Sequence, residues 1–164
     1  MTHQVCILMG SDSDLPVMQE TTKILQEFGV TTRVHIASAH RTPDKVKNII
    51  RDAEGEGAKV FIAGAGYAAH LAGFIAAHTT LPVIGVPLEG SSLNGLDALL
   101  ATVQMPPGIP VATVAVGKVG AKNAALLAIA ILATADRLLA EKLKTYRQKM
   151  ADVVETKDQE LQRP

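Results

Sequence analysis

The sequence predicts an α/β fold in which a parallel sheet lies between two layers of helices. Two patterns point there. Short apolar runs, the mark of strands buried on both faces, recur five times along the chain. Longer segments with apolar residues at helical spacing separate them. Strands alternating with helices call for right-handed crossovers and a parallel sheet. Five strands in 164 residues fit a three-layer, flavodoxin-like domain with helices on both faces and a long C-terminal helix.

Each element has its own signal. Val5-Cys6-Ile7-Leu8-Met9 is an apolar run closed by Gly10 and reads as the first strand. A helix follows with Pro16 in its first turn, with Val17, Met18, Thr21, Leu25 and Phe28 on one face, and with Gly29 as its stop. Val30 to Ile36 is the second strand. Thr42 is placed to cap the second helix, with Pro43 first in it and Val46, Ile49, Ile50 and Ala53 along one face. Val60 to Ala63 is the third strand, followed by a Gly/Ala-rich segment and a helix to about His78. Pro82 to Val86 is the fourth strand, and Asn94 is placed to cap a helix ending near Gln104. The turn from Met105 to Pro110 precedes a fifth strand, Val111 to Val116. One long helix is expected from about Lys122 to Met150, then a polar, frayed tail over about 152–164. No linker or repeat interrupts the pattern, so residues 1–164 read as one domain.

Composition narrows the function. Hydrophobic residues make up 48% and charged residues 20%, which suits a globular chain. The formal net charge is zero, without the basic excess that neutralises phosphates, so nucleic acid is not an expected partner. Aromatics are 3% and Trp is absent, which argues against base-stacking surfaces. Cys6 is the single cysteine and lies in an apolar run, where an inert buried thiol is expected. Ala124 to Ala135 is the most apolar stretch and falls short of the roughly 20 residues a membrane span needs. No signal peptide opens the chain, and a cytoplasmic protein without membrane partners is expected.

In an open parallel sheet, ligands bind beyond the carboxyl ends of the strands. After the first strand, Gly10-Ser11-Asp12-Ser13-Asp14 leads into a helix. Backbone N–H groups and hydroxyls there suit a phosphate, and an Asp suits sugar hydroxyls. Alone, the segment reads more readily as a capped turn, since such loops are common. After the second strand, Ser38-Ala39-His40-Arg41 places an Arg that can fork onto a phosphate beside a His that can carry a proton. After the third, the run from Gly64 to Gly66 lets backbone approach a ligand, while His70 close behind it reads, on its own, as a packed helical histidine. It is not a dinucleotide fingerprint, because it follows the third strand and no acidic residue stands about 20 residues on. Glu89, Gly90, Ser91 and Ser92 form a loop that suits closure over a ligand or a plain surface turn. Gly117 to Lys122 lacks the Walker spacing, and no metal-ligand spacing is present, so neither ATP nor a metal is expected. His35 and His78 read as structural, and His3 as solvated.

Taken together, MGSDSD, SAHRTP, AGAGYAAHLAG, LPVIGVP, VQMPPGIPV and KNAALLAIAIL resemble the class I N5-carboxyaminoimidazole ribonucleotide mutases, from Met9 to about Met150. The related class II carboxylases carry Lys after the loop His and a different third loop; Arg41 and Ala69-His70-Leu71 side with class I. The resemblance implies a homo-octamer with sites between subunits, a phosphorylated ribonucleotide substrate, a CO2 intermediate and no cofactor. It implies Ser11, Ser38 and Arg41 around the phosphate and Asp14 on the ribose. His40 would be the general acid/base, with Ser13, Ala39, Gly66, Ala69, His70 and Leu71 completing the substrate pocket. Two departures stand out: Tyr67 where many members have Gly, and Ala72 where many have Pro. Two other readings compete. One is an aminoimidazole ribonucleotide carboxylase or decarboxylase that uses free CO2. The other is a flavodoxin-like binding module, for which the chain is poor in the aromatics that stack on flavin and lacks the acidic cluster of a phospho-receiver.

Overall fold

The computed structural model describes residues 3–163. The elements run β1 (Val5–Met9), a 3-10 turn (Asp12–Asp14), α1 (Leu15–Phe28), β2 (Thr32–Ile36), α2 (Pro43–Gly55), β3 (Val60–Ala65) and α3 (Leu71–Ala76). They continue through β4 (Val83–Pro87), α4 (Leu96–Val103), β5 (Ala112–Thr113), α5 (Gly117–Ala133) and α6 (Arg137–Leu161). The five strands are parallel, in the order β2-β1-β3-β4-β5, which is the flavodoxin order.

Strand alternation divides the core in two. Val5, Ile7 and Met9 of β1 face α1 and α5, together with Ile62, Ile84 and Val86. Cys6 and Leu8 face α2 and α3, together with Phe61 and Ala63. Fully burying a large apolar side chain contributes about 1.5–3 kcal/mol. β1, β3 and β4, buried along their whole length apart from Ala65 at the end of β3, are therefore the main apolar anchor of the sheet. β2 is an edge strand and is only half covered. The Thr21 hydroxyl, buried on the apolar face of α1, donates to the Ala121 carbonyl of α5 at 2.8 Å, so the burial leaves it partnered. Gly29 ends α1 at φ 78, a left-handed conformation that favours glycine, and its N–H bonds back to Gln26 and Leu25 carbonyls. At Gly85 a Cβ would run into the Thr102 side chain, so glycine is what lets α4 lie close on β4.

Cys6 is buried, and that burial pushes its thiol pKa up to about 12, which keeps it protonated and unreactive at neutral pH. His78 is tied to its own helix turn, with Nδ1 2.7 Å from the Phe74 carbonyl and its ring stacked on Phe74. His3, expected in solvent, is half-buried with Nδ1 enclosed.

Several boundaries move. The long final helix is two helices, broken over residues 134–136, where the Asp136 side chain accepts from Leu139 N at 3.0 Å and starts α6. The polar tail remains helical to Leu161, exposed throughout. Contacts four residues apart, Gln148 to Asp152 and Gln159 to Glu155, run along it. β5 shrinks to two residues at the sheet edge, and α3 stops at Ala76. Asn94 does not cap α4. It sits at φ 50, and Gly95, at φ 85, occupies the position before the helix. Thr42 makes no side-chain cap either, because its hydroxyl is spent on Ser38.

Candidate active site

The loops following β1, β2, β3 and β4 meet at the carboxyl edge of the sheet around a cavity of about 610 Å³. β1 leads out to β2 on one side and β3 pairs on the other, so the chain reverses direction there and a crevice opens.

The first loop is held by its own side chains. Asp14 Oδ2 accepts from Ser11 N at 3.0 Å, and Ser11 Oγ accepts from Ser13 N at 3.4 Å and donates to Asp12 Oδ1 at 2.9 Å. Burial pushes the Asp14 carboxyl pKa upward. Hydrogen bonds from the Ser11 and Gly10 backbone and the charge of Arg41 oppose that rise.

The second loop is a turn closed by Ser38 and Thr42. Ser38 N donates to Thr42 Oγ1 at 2.9 Å, and that hydroxyl donates back to the Ser38 carbonyl at 3.2 Å. Arg41 N donates to Ser38 Oγ at 3.1 Å. This clasp leaves His40 and Arg41 exposed at the cavity. Arg41 Nη2 donates to the Gly10 carbonyl at 3.0 Å, which joins the second loop to the first and leaves the fork with further donors.

The third loop brings His70 to His40. Nδ1 of His70 lies 2.7 Å from Nε2 of His40, with the rings edge to face. At that distance the two ring nitrogens are within hydrogen-bond reach, and the tautomers set which one donates. The fourth loop is joined to the third by Leu88 N, which donates to the Ala65 carbonyl at 2.9 Å. A Cβ at Gly66 would stand 3.3 Å from the Leu88 carbonyl, a tight contact that glycine avoids.

The expected site residues Ser11, Ser13, Asp14, Ser38, Ala39, His40, Arg41, Gly66, His70 and Leu71 all line this one cavity. Ala69 does not; it is buried in the loop behind the lining. Gly10, Ala65, Tyr67, Ala68, Glu89 and Gly90 line it as well. Glu89 and Gly90 carried a sequence signal, a polar Gly/Ser loop after a strand, that did not separate a binding edge from a surface turn. Among the described residues no group of three His, Cys, Asp or Glu side chains is placed to hold a metal ion.

Residues 4–153 match the family described as AIR carboxylase. The chain belongs to the AIR carboxylase family. Relatives within reach of it are named N5-carboxyaminoimidazole ribonucleotide mutase. One from Pyrococcus abyssi is 57% identical over 147 residues, covering 90% of this chain and 83% of the relative. One from Thermotoga maritima is 52% identical over 159 residues, covering 97% and 92%. The crystal structure of Treponema denticola PurE superposes with a TM-score of 0.89 at 32% identity, over 97% of this chain and 98% of that one. The loops of this AIR carboxylase family member that hold His40, Arg41 and His70 all fall inside the matched span.

Proposed function

We propose that this chain interconverts N5-carboxyaminoimidazole ribonucleotide and 4-carboxy-5-aminoimidazole ribonucleotide in purine biosynthesis. The observation that carries the mechanism is the meeting of His40 with His70 at 2.7 Å beside an exposed Arg41, in one cavity with the Ser11–Asp14 loop. Family membership and the names of the relatives support the reaction.

In this reading Arg41, Ser11 and Ser38 take the 5′-phosphate. Arg41 brings charge and a planar fork, and the hydroxyls bring short polar arms. Asp14 accepts from the ribose, and Gly66, His70 and Leu71 border the base and carboxylate. The N-carboxyl C–N bond breaks, its electron pair returns to nitrogen, and the nitrogen takes a proton. The imidazole C4 then attacks the released CO2, and the C4 proton leaves to a base. One proton is delivered and one recovered, so a single imidazole, His40, serves both steps. The His40–His70 contact is a store for that proton. The rest of the rate comes from holding CO2 and C4 together.

The oligomer and the compartment belong to the same proposal: a closed homo-oligomer, an octamer by family resemblance, in the cytoplasm where charged ribonucleotide intermediates are made and used. An incubation with N-carboxylated ribonucleotide, and a parallel one with the uncarboxylated ribonucleotide plus bicarbonate, test it. The product is identified by mass and chromatography. Product from the first substrate at low bicarbonate is expected. Product from the second alone would replace the mutase with a carboxylase that takes free CO2.

A further inference from the structure

A second cleft, of about 440 Å³, shares Gly10, Ser11, Ser38 and Arg41 with the large cavity. Three of these, Ser11, Ser38 and Arg41, are the groups assigned above to the 5′-phosphate. Beyond them the second cleft is lined by Asp12, Thr42 and Lys45 and by the end of β2. Lys45 is exposed in the first turn of α2. Its Nζ donates to the carbonyl of Ile36, the last residue of β2, at 2.8 Å. An ammonium carries three N–H donors, so two remain for a ligand. The other polar groups of the cleft are already engaged. Thr42 Oγ1 is shared with Ser38, and Asp12 Oδ1 accepts from Ser11 Oγ and Ser13 N.

The charges of the two clefts call for a second cation. Among the described residues Arg41 is the single Arg or Lys lining the large cavity, against Asp14 and Glu89 there and Asp12 in the second cleft. A phosphate monoester carries a charge of about −1.5 to −2 at neutral pH. One guanidinium facing three carboxylates does not offset that charge. We propose that Lys45 is a further substrate-binding residue, with the 5′-phosphate lying between Arg41 and Lys45 where the two clefts join. This inference rests on the ribonucleotide reading. Arg41 supplies the planar, directional fork, and Lys45 a point charge on a flexible stem. The bond to Ile36 holds the ammonium at the cleft before a ligand arrives, so less side-chain freedom is lost on binding. Lys45 does not line the cavity in which His40 meets His70, so it touches none of the reacting atoms. Its effect is on affinity.

The test compares the parent with Lys45→Gln and Lys45→Arg. Gln keeps an N–H for the Ile36 carbonyl without the charge, and Arg keeps the charge. Lys45 is exposed, so both variants are expected to melt near the parent. Turnover is followed with the N-carboxylated ribonucleotide at several salt concentrations. Competitive inhibition is measured with the uncarboxylated ribonucleotide and with its nucleoside, which lacks the phosphate. In Lys45→Gln the KM and the ribonucleotide's inhibition constant are expected to rise by roughly tenfold, well beyond any fall in kcat, and to depend less on salt. Lys45→Arg should stay close to the parent, and the nucleoside should inhibit all three alike. An unchanged KM in Lys45→Gln would overturn the proposal. So would a loss shared by the nucleoside, or a loss in Lys45→Arg as large as in Lys45→Gln, since either would confine Lys45 to holding the end of β2. A parent that is inactive on the N-carboxylated ribonucleotide, or inhibited no better by ribonucleotide than by nucleoside, overturns the ribonucleotide reading first and this inference with it.

Discussion

Arg41 shows how one side chain can serve fold and ligand together. Its guanidinium ties the second loop to the first through the Gly10 carbonyl, with donors left for a phosphate. Arg41→Ala is expected to weaken any ligand bearing the 5′-phosphate by about 1.5–3 kcal/mol, on the order of ten- to a hundredfold. A ligand without the phosphate should bind parent and variant alike in calorimetry; equal losses would remove Arg41 as the phosphate clamp. His40→Asn keeps a polar side chain but carries no proton at neutral pH. Turnover should fall by roughly 10²–10⁴-fold with substrate still bound. His70→Asn should cost less, because an amide still offers His40 a hydrogen-bond partner. The reverse ordering in product-formation assays would move the proton chemistry to the third loop. Asp14 gives a pH prediction. Its folded-state carboxyl is shifted upward by burial, so ionising it costs stability, a cost absent well below the ordinary carboxylate range and complete above the shifted value. Asp14→Asn keeps an oxygen for Ser11 N. It should therefore melt higher than the parent at pH 7, with the gain vanishing as pH falls through the carboxylate range; a gain that does not shrink would mean packing rather than charge.

At the scale of elements, the informative difference is the break between α5 and α6. The apolar positions from Ala124 onward continue past residues 134–136 closely enough to suggest one helix. The structure turns instead at Asp136, whose side chain caps α6. Beyond the turn, Leu139 is buried and Leu143 and Tyr146 pack on the core, with Tyr146 5.5 Å from Phe28 between ring centroids. Leu139, Leu143 and Tyr146 of α6 are therefore consumed within the chain, while Leu138, Met150, Val153, Val154 and Leu161 stay exposed. Asp136→Ala should lower stability by about 1 kcal/mol, the usual worth of an N-cap. A urea midpoint measured at fixed protein concentration reads it, and an unchanged midpoint would assign the turn to packing alone.

At the scale of the molecule, exposed apolar side chains gather around α4 as well as along α6. α5, apolar almost all round, is covered on one side by α1 and the sheet, while Leu126, Leu127 and Ile131 stay half-buried. Around α4, Leu93, Leu96, Leu100 and Val103 stand exposed at helical spacing. A face of that kind accords with a closed homo-oligomer. Light scattering at micromolar concentration should give a multiple of the chain mass, and Leu100→Asp should shift it downward; a monomer mass for the parent would end the idea.

Sequence alone determined the layers, the five strands and the loops that line the cavity. Those depend on local period, on Gly and Pro placement, and on the rule that parallel sheets bind at their carboxyl edge. It also offered His40 and Arg41 by residue type and position, and His70 only through the family resemblance. Only the tertiary structure decided that His40 and His70, thirty residues apart, face each other, that Ala69 stays behind the lining, and that Tyr67 lines the cavity from a left-handed backbone. It likewise decided where α5 stops and how little of β5 is paired. Those outcomes are set by long-range packing and by competition for a few hydrogen bonds, such as the one that draws Thr42 to Ser38 instead of to its helix. Local pattern fixes which residues belong on a face; only closure of the chain fixes what that face meets.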